Sequence, residues 1–322
     1  MLVSIRFAAT IAVAILGQAT VVKCWDSTQL KVMSFNLRTS LANDPCPSGC
    51  WALRKFRAEQ LVERYEPDFI GTQEGAPDQI DFFIHQLGFT STGECAGNCD
   101  GNERNSIFYK TERWDLLESS TFALSDTPNV IPSNSWNLQY LRAAVIARFR
   151  DKATHQVVCM LNTHFDISRG HDQSSSLVAK LLSEHCDVAD TIILTGDLNT
   201  GPESPAIKYL SNQDSLNGSC TPVPMYDTLA AAGVGGPTWV GSSFGNITVD
   251  YKFDYIFLRP DDHTCLLNSL ILVDLFDGFS SSDHAVVQSE FSLGKGCTSD
   301  FQKAEPLVSV SCHAYDNTAR FL

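Results

Sequence analysis

The sequence has 322 residues, 43% of them hydrophobic, which is enough for one large globular domain with a substantial core. Its formal net charge of −14 disfavours a non-specific electrostatic grip on duplex nucleic acid, because such a grip requires a basic surface. The charge does not exclude a small positive cleft, particularly one that carries a metal ion.

Residues 1–23 have the pattern of a secretory signal peptide. Arg6 supplies the positive charge, and the apolar stretch 7–16 is too short to span a bilayer. A buried N-terminal helix is the alternative. No other long apolar run follows in the sequence, so we expect a secreted, extracellular protein without a stable membrane anchor. In a eukaryotic secretory route, Asn217 and Asn246 would be glycosylation acceptors.

Eleven cysteines fit an oxidising compartment and predict disulfides. Cys46 and Cys50, like Cys95 and Cys99, are separated by three residues within loops rich in Pro, Gly, Asn and Ser. Zinc binding is the alternative at these pairs. Cys159 lies inside an apolar run and is the best candidate for an odd, unpaired thiol.

Strand and helix patterns alternate along the chain. Short apolar runs and alternating patterns predict strands over residues 30–35, 68–74, 106–109, 141–149, 156–163, 191–196, 253–258 and 285–291. Helical spacing predicts helices over residues 54–65, 78–87 and 176–185. This interspersion predicts one α/β domain over residues 24–294, with two packed sheets and helices outside, and a C-terminal tail over 295–322.

The stretch 191–200 combines a buried strand with two polar residues. Three apolar residues run into Gly196, and Asp197 and Asn199 follow two positions apart. In an extended chain this spacing directs both side chains to the same side. A carboxylate can take a proton or hold a hard cation, and an amide can orient a phosphoryl oxygen or a water. An Asx turn after the strand is the alternative.

Similar polar residues occur at most strand ends. They are Asn36, Glu74, His164 with Asp166, Asp197 with Asn199, Asp254, and Asp283 with His284. A single residue of this kind is usually a cap or a paired structural charge, but six occurrences predict that the strand ends converge. The resulting basin of carboxylates, amides and imidazoles would be costly unless it holds a cation and an anionic substrate.

The chemistry that fits this basin is metal-assisted phosphoester hydrolysis. Oxygen ligands from Glu74, Asp283 and Asn36 suit Mg²⁺, with Mn²⁺ or Ca²⁺ as alternatives, better than zinc. Asp197 or His284 would activate water, and the other imidazole would stabilise or protonate the leaving oxygen. No Ser or Cys stands in a nucleophile elbow, which disfavours acyl transfer.

The polar strand ends belong to six short motifs. In chain order these are Ser34-Phe-Asn36, Gly71-Thr-Gln-Glu74, Asn162-Thr-His164, Gly196-Asp-Leu-Asn199, Phe253-Asp-Tyr-Ile256 and Ser282-Asp-His284. In this order they resemble the endonuclease/exonuclease/phosphatase superfamily, of pancreatic-deoxyribonuclease-like fold, over residues 32–291. The resemblance implies a four-layer α/β/β/α sandwich of two mixed β-sheets flanked by helices, and the chain looks most like a secreted branch.

The resemblance also implies a role for each motif residue. Glu74 is expected to be the main metal ligand, assisted by Asn36 and Asp283, and Asn36 also contacts the substrate. Asp197 and Asn199 are expected to handle the attacking water and the phosphoryl group.

Two histidines and their partners complete the set that the resemblance implies. His284 corresponds to the imidazole oriented by Asp254, and His164 corresponds to the second imidazole. Glu103 matches the acid that pairs with this second histidine in deoxyribonucleases, and Arg142 matches a phosphate-contacting arginine. The alternatives for the last two residues are an exposed loop acid and a strand-end salt bridge.

The substrate is not fixed by this resemblance, because the superfamily hydrolyses DNA, RNA, lipid headgroups and small phosphates. The first hypothesis is a secreted phosphoesterase acting on a small or soluble phosphate ester, favoured by the acidic charge. The second is a secreted endonuclease on DNA or RNA, favoured by the Glu103/His164 and Asp254/His284 pairs. The third is a non-catalytic secreted effector or binding protein that keeps the fold. We expect a monomer in each case.

Overall fold

The computed structural model describes residues 29–97, 104–245 and 250–294, and these ranges contain twelve strands and five α-helices. The strands are β1 (Gln29–Asn36), β2 (Phe69–Gly75), β3 (Thr90–Thr92), β4 (Arg104–Tyr109), β5 (Trp114–Ala123), β6 (Ala143–Asp151), β7 (Val157–His164), β8 (Thr191–Asp197), β9 (Tyr226–Asp227), β10 (Asp254–Leu258), β11 (Thr264–Leu272) and β12 (Val286–Leu293). The helices are α1 (Trp51–Tyr65), α2 (Pro77–His85), α3 (His171–His185), α4 (Pro205–Leu210) and α5 (Thr228–Ala231), with a 3₁₀ turn at Ser40–Ala42.

The strands form two six-stranded mixed sheets. The spatial order in the first sheet is β11-β12-β1-β2-β4-β3, and in the second it is β5-β6-β7-β8-β10-β9. β1 and β2 pair in parallel in the first sheet, as β7 and β8 do in the second, and the other pairings are antiparallel. The carboxyl ends of β1 and β2, and of β7 and β8, therefore lie at one edge of each sheet.

Three apolar cores separate four layers. Phe35 of β1 packs on Phe83 of α2 outside the first sheet, with ring centroids 6.4 Å apart. Between the sheets, Phe69 of β2 packs on Phe149 of β6, with ring centroids 4.7 Å apart. Leu182 of α3 belongs to a third core on the outer face of the second sheet. Because full burial of one such side chain contributes about 1.5–3 kcal/mol, these cores hold the layers together. The predicted four-layer sandwich is confirmed.

The predicted helices are present with shifted ends. α3 begins at His171 rather than at residue 176, because Gly170 precedes it with a left-handed backbone (φ 71°). A Cβ at Gly170 would stand 2.6 Å from Leu138 Cδ2, so this turn requires glycine. The short helix α4 has no counterpart in the prediction, although Ser204 caps it by accepting from the Ile207 N–H.

The predicted strands are the interior strands of the two sheets, and the four edge strands β3, β5, β9 and β11 were not predicted. An edge strand has a neighbour on one side only and carries more exposed residues. In β5, for example, residues 116–120 are exposed. Two leucines followed by Glu118, Ser119 and Ser120 form neither a long apolar run nor an alternating pattern, which are the signals that predict the interior strands.

The cysteines within the described ranges form disulfides, and the prediction for Cys159 is wrong. Cys159 of β7 is bonded to Cys186, which directly follows α3, with 5.7 Å between their Cα atoms. An apolar run does not distinguish a buried thiol from a buried disulfide, and the partner lies 27 residues away. Cys46 and Cys50 form a disulfide rather than a zinc site. Cys95, Cys220 and Cys265 are disulfide-bonded as well.

Several predictions concern parts of the chain outside the described residues. These are the signal peptide at 1–23, the tail at 295–322, and Glu103, Cys99 and Asn246. Within the described ranges, none of the helices has the length and apolar character needed to cross a membrane.

Candidate active site

Strand pairing places three predicted site residues side by side in the second sheet. β7 runs parallel to β8, so that His164 lies opposite Asp197. β10 runs antiparallel to β8 on its other side, so that Asp254 lies opposite the same residue. All three side chains are buried, and Asp197 is the central one.

Asn36 connects this group to the first sheet. Its position at the end of β1 lies opposite Gln73 of β2, directly before Glu74. The Asn36 amide nitrogen donates to Glu74 Oε1 at 3.0 Å and to Asp197 Oδ2 at 2.9 Å. A single side-chain amide therefore joins the carboxyl ends of strands from both sheets.

His284 lies between two carboxylates. Its Nδ1 is 2.8 Å from Asp254 Oδ2, and its Nε2 is 3.7 Å from Asp197 Oδ2. Burial lowers the pKa of His284, but the charges of Asp254 and Asp197 outweigh burial and raise this pKa well above its usual range. The geometry therefore favours an imidazolium whose orientation is fixed by Asp254.

Asp197 combines a turn with a place in the site. Its Oδ1 accepts from the Asn199 backbone N–H at 2.9 Å, which is an Asx turn, while its Oδ2 faces Asn36 and the imidazoles. The Asx turn is therefore present, and Asp197 also faces other predicted site residues. Burial, with a contribution from Asp254, raises the pKa of Asp197 to about 7.

The backbone conformation of Asn199 differs from the extended chain that the sequence predicts. Asn199 lies beyond the end of β8 in a left-handed conformation (φ 48°) rather than in extended chain. Its amide nitrogen donates to the Phe165 carbonyl at 3.1 Å and lies 3.0 Å from His164 Nε2. Glu74 is also left-handed (φ 60°), a conformation that costs roughly 1–2 kcal/mol for a residue with a side chain.

Arg142 contacts His164 directly. Its Nη1 lies 2.8 Å from His164 Nδ1. A guanidinium only donates, and so does the Asn199 amide nitrogen 3.0 Å from Nε2, so both ring nitrogens face donors. Nε2 is also 3.5 Å from Asp197 Oδ2. The His164 ring thus lies between Arg142 and the central carboxylate.

Glu74 and Asp283 bring two more carboxylates to the same end of the sandwich. Glu74 Oε2 accepts from the Thr39 backbone N–H at 3.2 Å. Asp283 Oδ1 accepts from the Ser282 hydroxyl at 3.3 Å, and its Oδ2 lies 3.7 Å from Arg38 Nε. Burial raises the pKa of Asp283, the His284 charge opposes this shift, and the Glu74 charge adds to it.

Two sets of residues are candidates for binding a divalent cation. Ligand atoms of Asp197, Asp254 and His284 lie within 4.8 Å of one another in the described part of the chain. In this set His284 Nδ1 is already bonded to Asp254, and an imidazole with a raised pKa keeps its protons. A protonated ring cannot be a metal ligand.

The second set consists of Glu74, Asp283 and Asn36. All its members offer oxygen atoms, which Mg²⁺, Mn²⁺ and Ca²⁺ prefer. A cation between the two carboxylates would relieve the repulsion that contributes to the raised pKa of Asp283. The residues present therefore fit a hard divalent ion at this set better than at the first.

Three residues that hold the site, Arg38, Gln79 and Arg54, belong to none of the six sequence motifs. Arg38 pairs with Asp44 through two bonds of 2.9 and 3.0 Å. Gln79 of α2 donates to the Arg38 carbonyl at 3.0 Å. The fully buried Arg54 of α1 donates to four carbonyl oxygens, those of Leu37, Arg38, Gly49 and Ser281, at 2.6–3.0 Å. An arginine in an amphipathic helix is typical of an exposed face, so no local signal distinguishes Arg54.

The state of His164 predicts a pH effect on stability. Burial, and then the charges of Arg142 and His284, lower its pKa well below the usual range. In the unfolded chain the imidazole takes up a proton below about pH 6.5, whereas the folded site resists it. The stabilisation is therefore present above pH 6.5 and is lost as the pH falls, by up to about 1.4 kcal/mol per unit.

Comparison with a His164→Gln variant tests this predicted pH effect on stability. In urea unfolding from pH 8 to pH 5, the free energy of unfolding of the unsubstituted protein should fall relative to that of the variant below pH 6.5. A difference between the two proteins that stays constant across this range would contradict a buried neutral imidazole.

Carboxylates, imidazoles and amides that surround one point at the strand ends of a two-sheet sandwich define a hydrolase of phosphoester bonds. The chain belongs to the endonuclease/exonuclease/phosphatase family, whose sequence model matches residues 33–284. No curated protein sequence shows significant similarity to the chain.

Solved structures share the fold. An endonuclease/exonuclease/phosphatase from Bacteroides vulgatus is 25% identical, with a TM-score of 0.72 over 83% of this chain and 99% of that chain. A mannosyl-6-phosphatase from Bacteroides thetaiotaomicron is 23% identical, with a TM-score of 0.69 over 82% and 100%. TDP2 from D. rerio, complexed with a single-strand DNA product, is 18% identical, with a TM-score of 0.62 over 82% and 99%.

Proposed function

We propose that the chain is a secreted, divalent-metal-dependent phosphoesterase that hydrolyses a small or soluble phosphate ester by attack of water. The observation that supports this most is the environment of Asp197 Oδ2. Asn36 Nδ2 lies 2.9 Å, His164 Nε2 3.5 Å and His284 Nε2 3.7 Å from this one oxygen. A carboxylate beside several donors can take a proton while the donors stabilise the negative charge of a phosphoryl group.

The side chains then have distinct roles. Asp197 accepts the proton of the attacking water. The His284 imidazolium, fixed by Asp254, and the His164 imidazole stabilise the phosphoryl oxygens or protonate the leaving oxygen. Asn199 orients the phosphoryl group.

Glu74, Asp283 and Asn36 would hold the cation, most favourably Mg²⁺, with Mn²⁺ or Ca²⁺ as alternatives. When bound, such an ion stabilises the charge that develops on phosphoryl oxygens in the transition state. Arg38, 3.7 Å from Asp283, balances part of the carboxylate charge.

Secretion is supported by the signal-peptide pattern at 1–23 and by the disulfides Cys46–Cys50 and Cys159–Cys186. The mature protein would then consist of the domain 24–294 and the tail 295–322, glycosylated at Asn217 or Asn246 in a eukaryotic host, and would act as a monomer.

The endonuclease hypothesis is less favoured by the contacts of His164. Among the described residues, Arg142 and Asn199 contact the two ring nitrogens of His164, and neither is the acid that this hypothesis expects there. The net charge of −14 also opposes binding of polynucleotides. A non-catalytic effector is disfavoured because the residues of all six motifs meet at one site.

We expect EDTA to abolish hydrolysis and added Mg²⁺ or Mn²⁺ to restore it. The secreted protein would be tested on a panel of phosphate esters, and on plasmid DNA and RNA, with Asp197→Ala as the inactive control. Nuclease activity lost in His164→Ala would support the endonuclease alternative. Hydrolysis that survives exhaustive chelation, or that persists in Asp197→Ala, would contradict the proposed function.

A further inference from the structure

A cavity of about 370 Å³ opens beside His164 and Arg142. Pockets for small organic ligands usually measure about 300–1,000 Å³, so this cavity has room for one ring-bearing unit. Its walls come from the 3₁₀ turn, the segment before residue 98, and the start of β6. The described lining residues are Thr39, Leu41, Ala42, Ala96, Gly97, Asn105, Tyr140, Leu141, Arg142, Ala143 and His164.

Large apolar side chains line the mouth of this cavity. Leu41, Tyr140 and Leu141 are 44%, 51% and 42% exposed, respectively. Gly97 leaves room for the Leu141 side chain, because a Cβ at this position would stand 2.8 Å from Leu141 Cδ1. Exposed apolar residues that gather around one concave site, rather than scattering singly, mark a binding surface.

The inner wall is polar and positively charged. Arg142 is only 7% exposed and lines the cavity, and its Nε is buried without a hydrogen-bond partner among the described residues. The Tyr140 ring lies 5.0 Å from the Arg142 guanidinium. Asn105, also 7% exposed, adds an amide. The described lining contains no carboxylate, in a chain whose net charge is −14.

We propose that this cavity binds the leaving group of the ester, that it selects a nucleoside-sized ring, and that Leu41, Tyr140 and Leu141 determine this specificity. A ring of this kind has an apolar face for Tyr140 and the leucines, and polar edges for Asn105 and Arg142, which both line the cavity. The inference rests on the proposed function, because it assigns the substrate of the same site.

The reaction for a nucleoside monophosphate follows from this placement. A water oxygen forms a bond to phosphorus, the bond from phosphorus to the nucleoside oxygen breaks, and the water proton ends on that oxygen. The products are inorganic phosphate and the nucleoside. The nucleoside oxygen would leave on the His164 side, where the cavity begins.

The test compares adenosine 5′-monophosphate, which carries a ring, with glycerol 3-phosphate, which does not. We expect Tyr140→Ala to raise the KM for the adenosine ester by about 5- to 100-fold, the range of a lost stacking contact. The kcat for this ester and both constants for glycerol 3-phosphate should stay within about twofold. Phe56→Ala, an exposed aromatic on α1 that is 49% exposed and does not line the cavity, is the matched control.

Binding without turnover separates this inference from the proposed function. Calorimetry with adenosine 5′-monophosphate and Mg²⁺ would be performed on Asp197→Asn and on the double variant Asp197→Asn/Tyr140→Ala. Weaker binding by the double variant than by Asp197→Asn supports the cavity assignment. This conclusion holds even if the unsubstituted protein hydrolyses neither ester, a result that would overturn only the proposed function. Hydrolysis of both esters with no effect of Tyr140→Ala overturns the cavity assignment and leaves the proposed function standing.

Discussion

The Asp197→Asn variant is expected to hydrolyse its phosphate ester about 10²–10⁴-fold more slowly than the unsubstituted protein, measured as kcat/KM. The amide has the shape of the carboxylate but cannot take the proton of the attacking water. It also lacks the negative charge that faces both imidazoles at 3.5 and 3.7 Å. The measurement is a steady-state assay on the best ester of the panel.

The fold should survive this substitution. Asp197 is buried and burial raises its pKa, so replacing it by a neutral isostere removes an unfavourable desolvation. The midpoint of thermal unfolding should therefore not fall by more than a few degrees. Asp115→Asn, on the exposed face of β5, serves as the control and should keep full activity. Activity of Asp197→Asn above one tenth of normal would remove this residue from the role of base.

The second large effect is expected for Glu74→Gln. This substitution should lower activity at a fixed Mg²⁺ concentration by at least about 100-fold, because it removes the charge of the main candidate metal ligand. In the unsubstituted protein the Glu74 carboxylate accepts a hydrogen bond from the Thr39 N–H at 3.2 Å. The amide oxygen of the variant can still accept this bond, so the local loop should keep its conformation. Raising the Mg²⁺ concentration should recover part of the lost activity.

A direct binding measurement makes this prediction independent of turnover. Calorimetric titration with Mg²⁺ should give a clear isotherm for the unsubstituted protein and a much weaker one for Glu74→Gln. Glu203→Gln, at an exposed position that pairs with Lys208, should bind as the unsubstituted protein does. Equal Mg²⁺ affinity in all three proteins would place the cation elsewhere, with the group around Asp197 as the next candidate.

The interior strands could be predicted from the sequence because they contain continuous apolar runs. Strands β7 and β8, buried on both faces, are examples. The edge strands depend on their neighbours for their conformation, and β11 also carries a bulge between Leu266 and Asn268. Their residues do not specify a strand until the adjoining strand is in place.

The candidate site shows the same division between local and tertiary information. Asp197, Asp254 and His164 could be predicted as neighbours because they occupy strand ends, and strand order then determines their spacing. The left-handed turn at Asn199 and the contact between Arg142 and His164 depend on the exact backbone path. The Cys159–Cys186 bond likewise depends on where α3 ends relative to β7.

Arg54 links the strand ends of the candidate site to the loop that the Cys46–Cys50 disulfide closes. Its guanidinium binds the Gly49 carbonyl within the ring closed by Cys46 and Cys50, and also the carbonyls of Leu37 and Ser281. If the loop at 46–50 opened, a fully buried cation would lose an acceptor, at a cost of at least about 1–3 kcal/mol. Opening of this loop and displacement of the strand ends that carry the proposed catalytic residues would therefore be energetically coupled. The disulfide would then help to hold these residues in place as well as closing the loop.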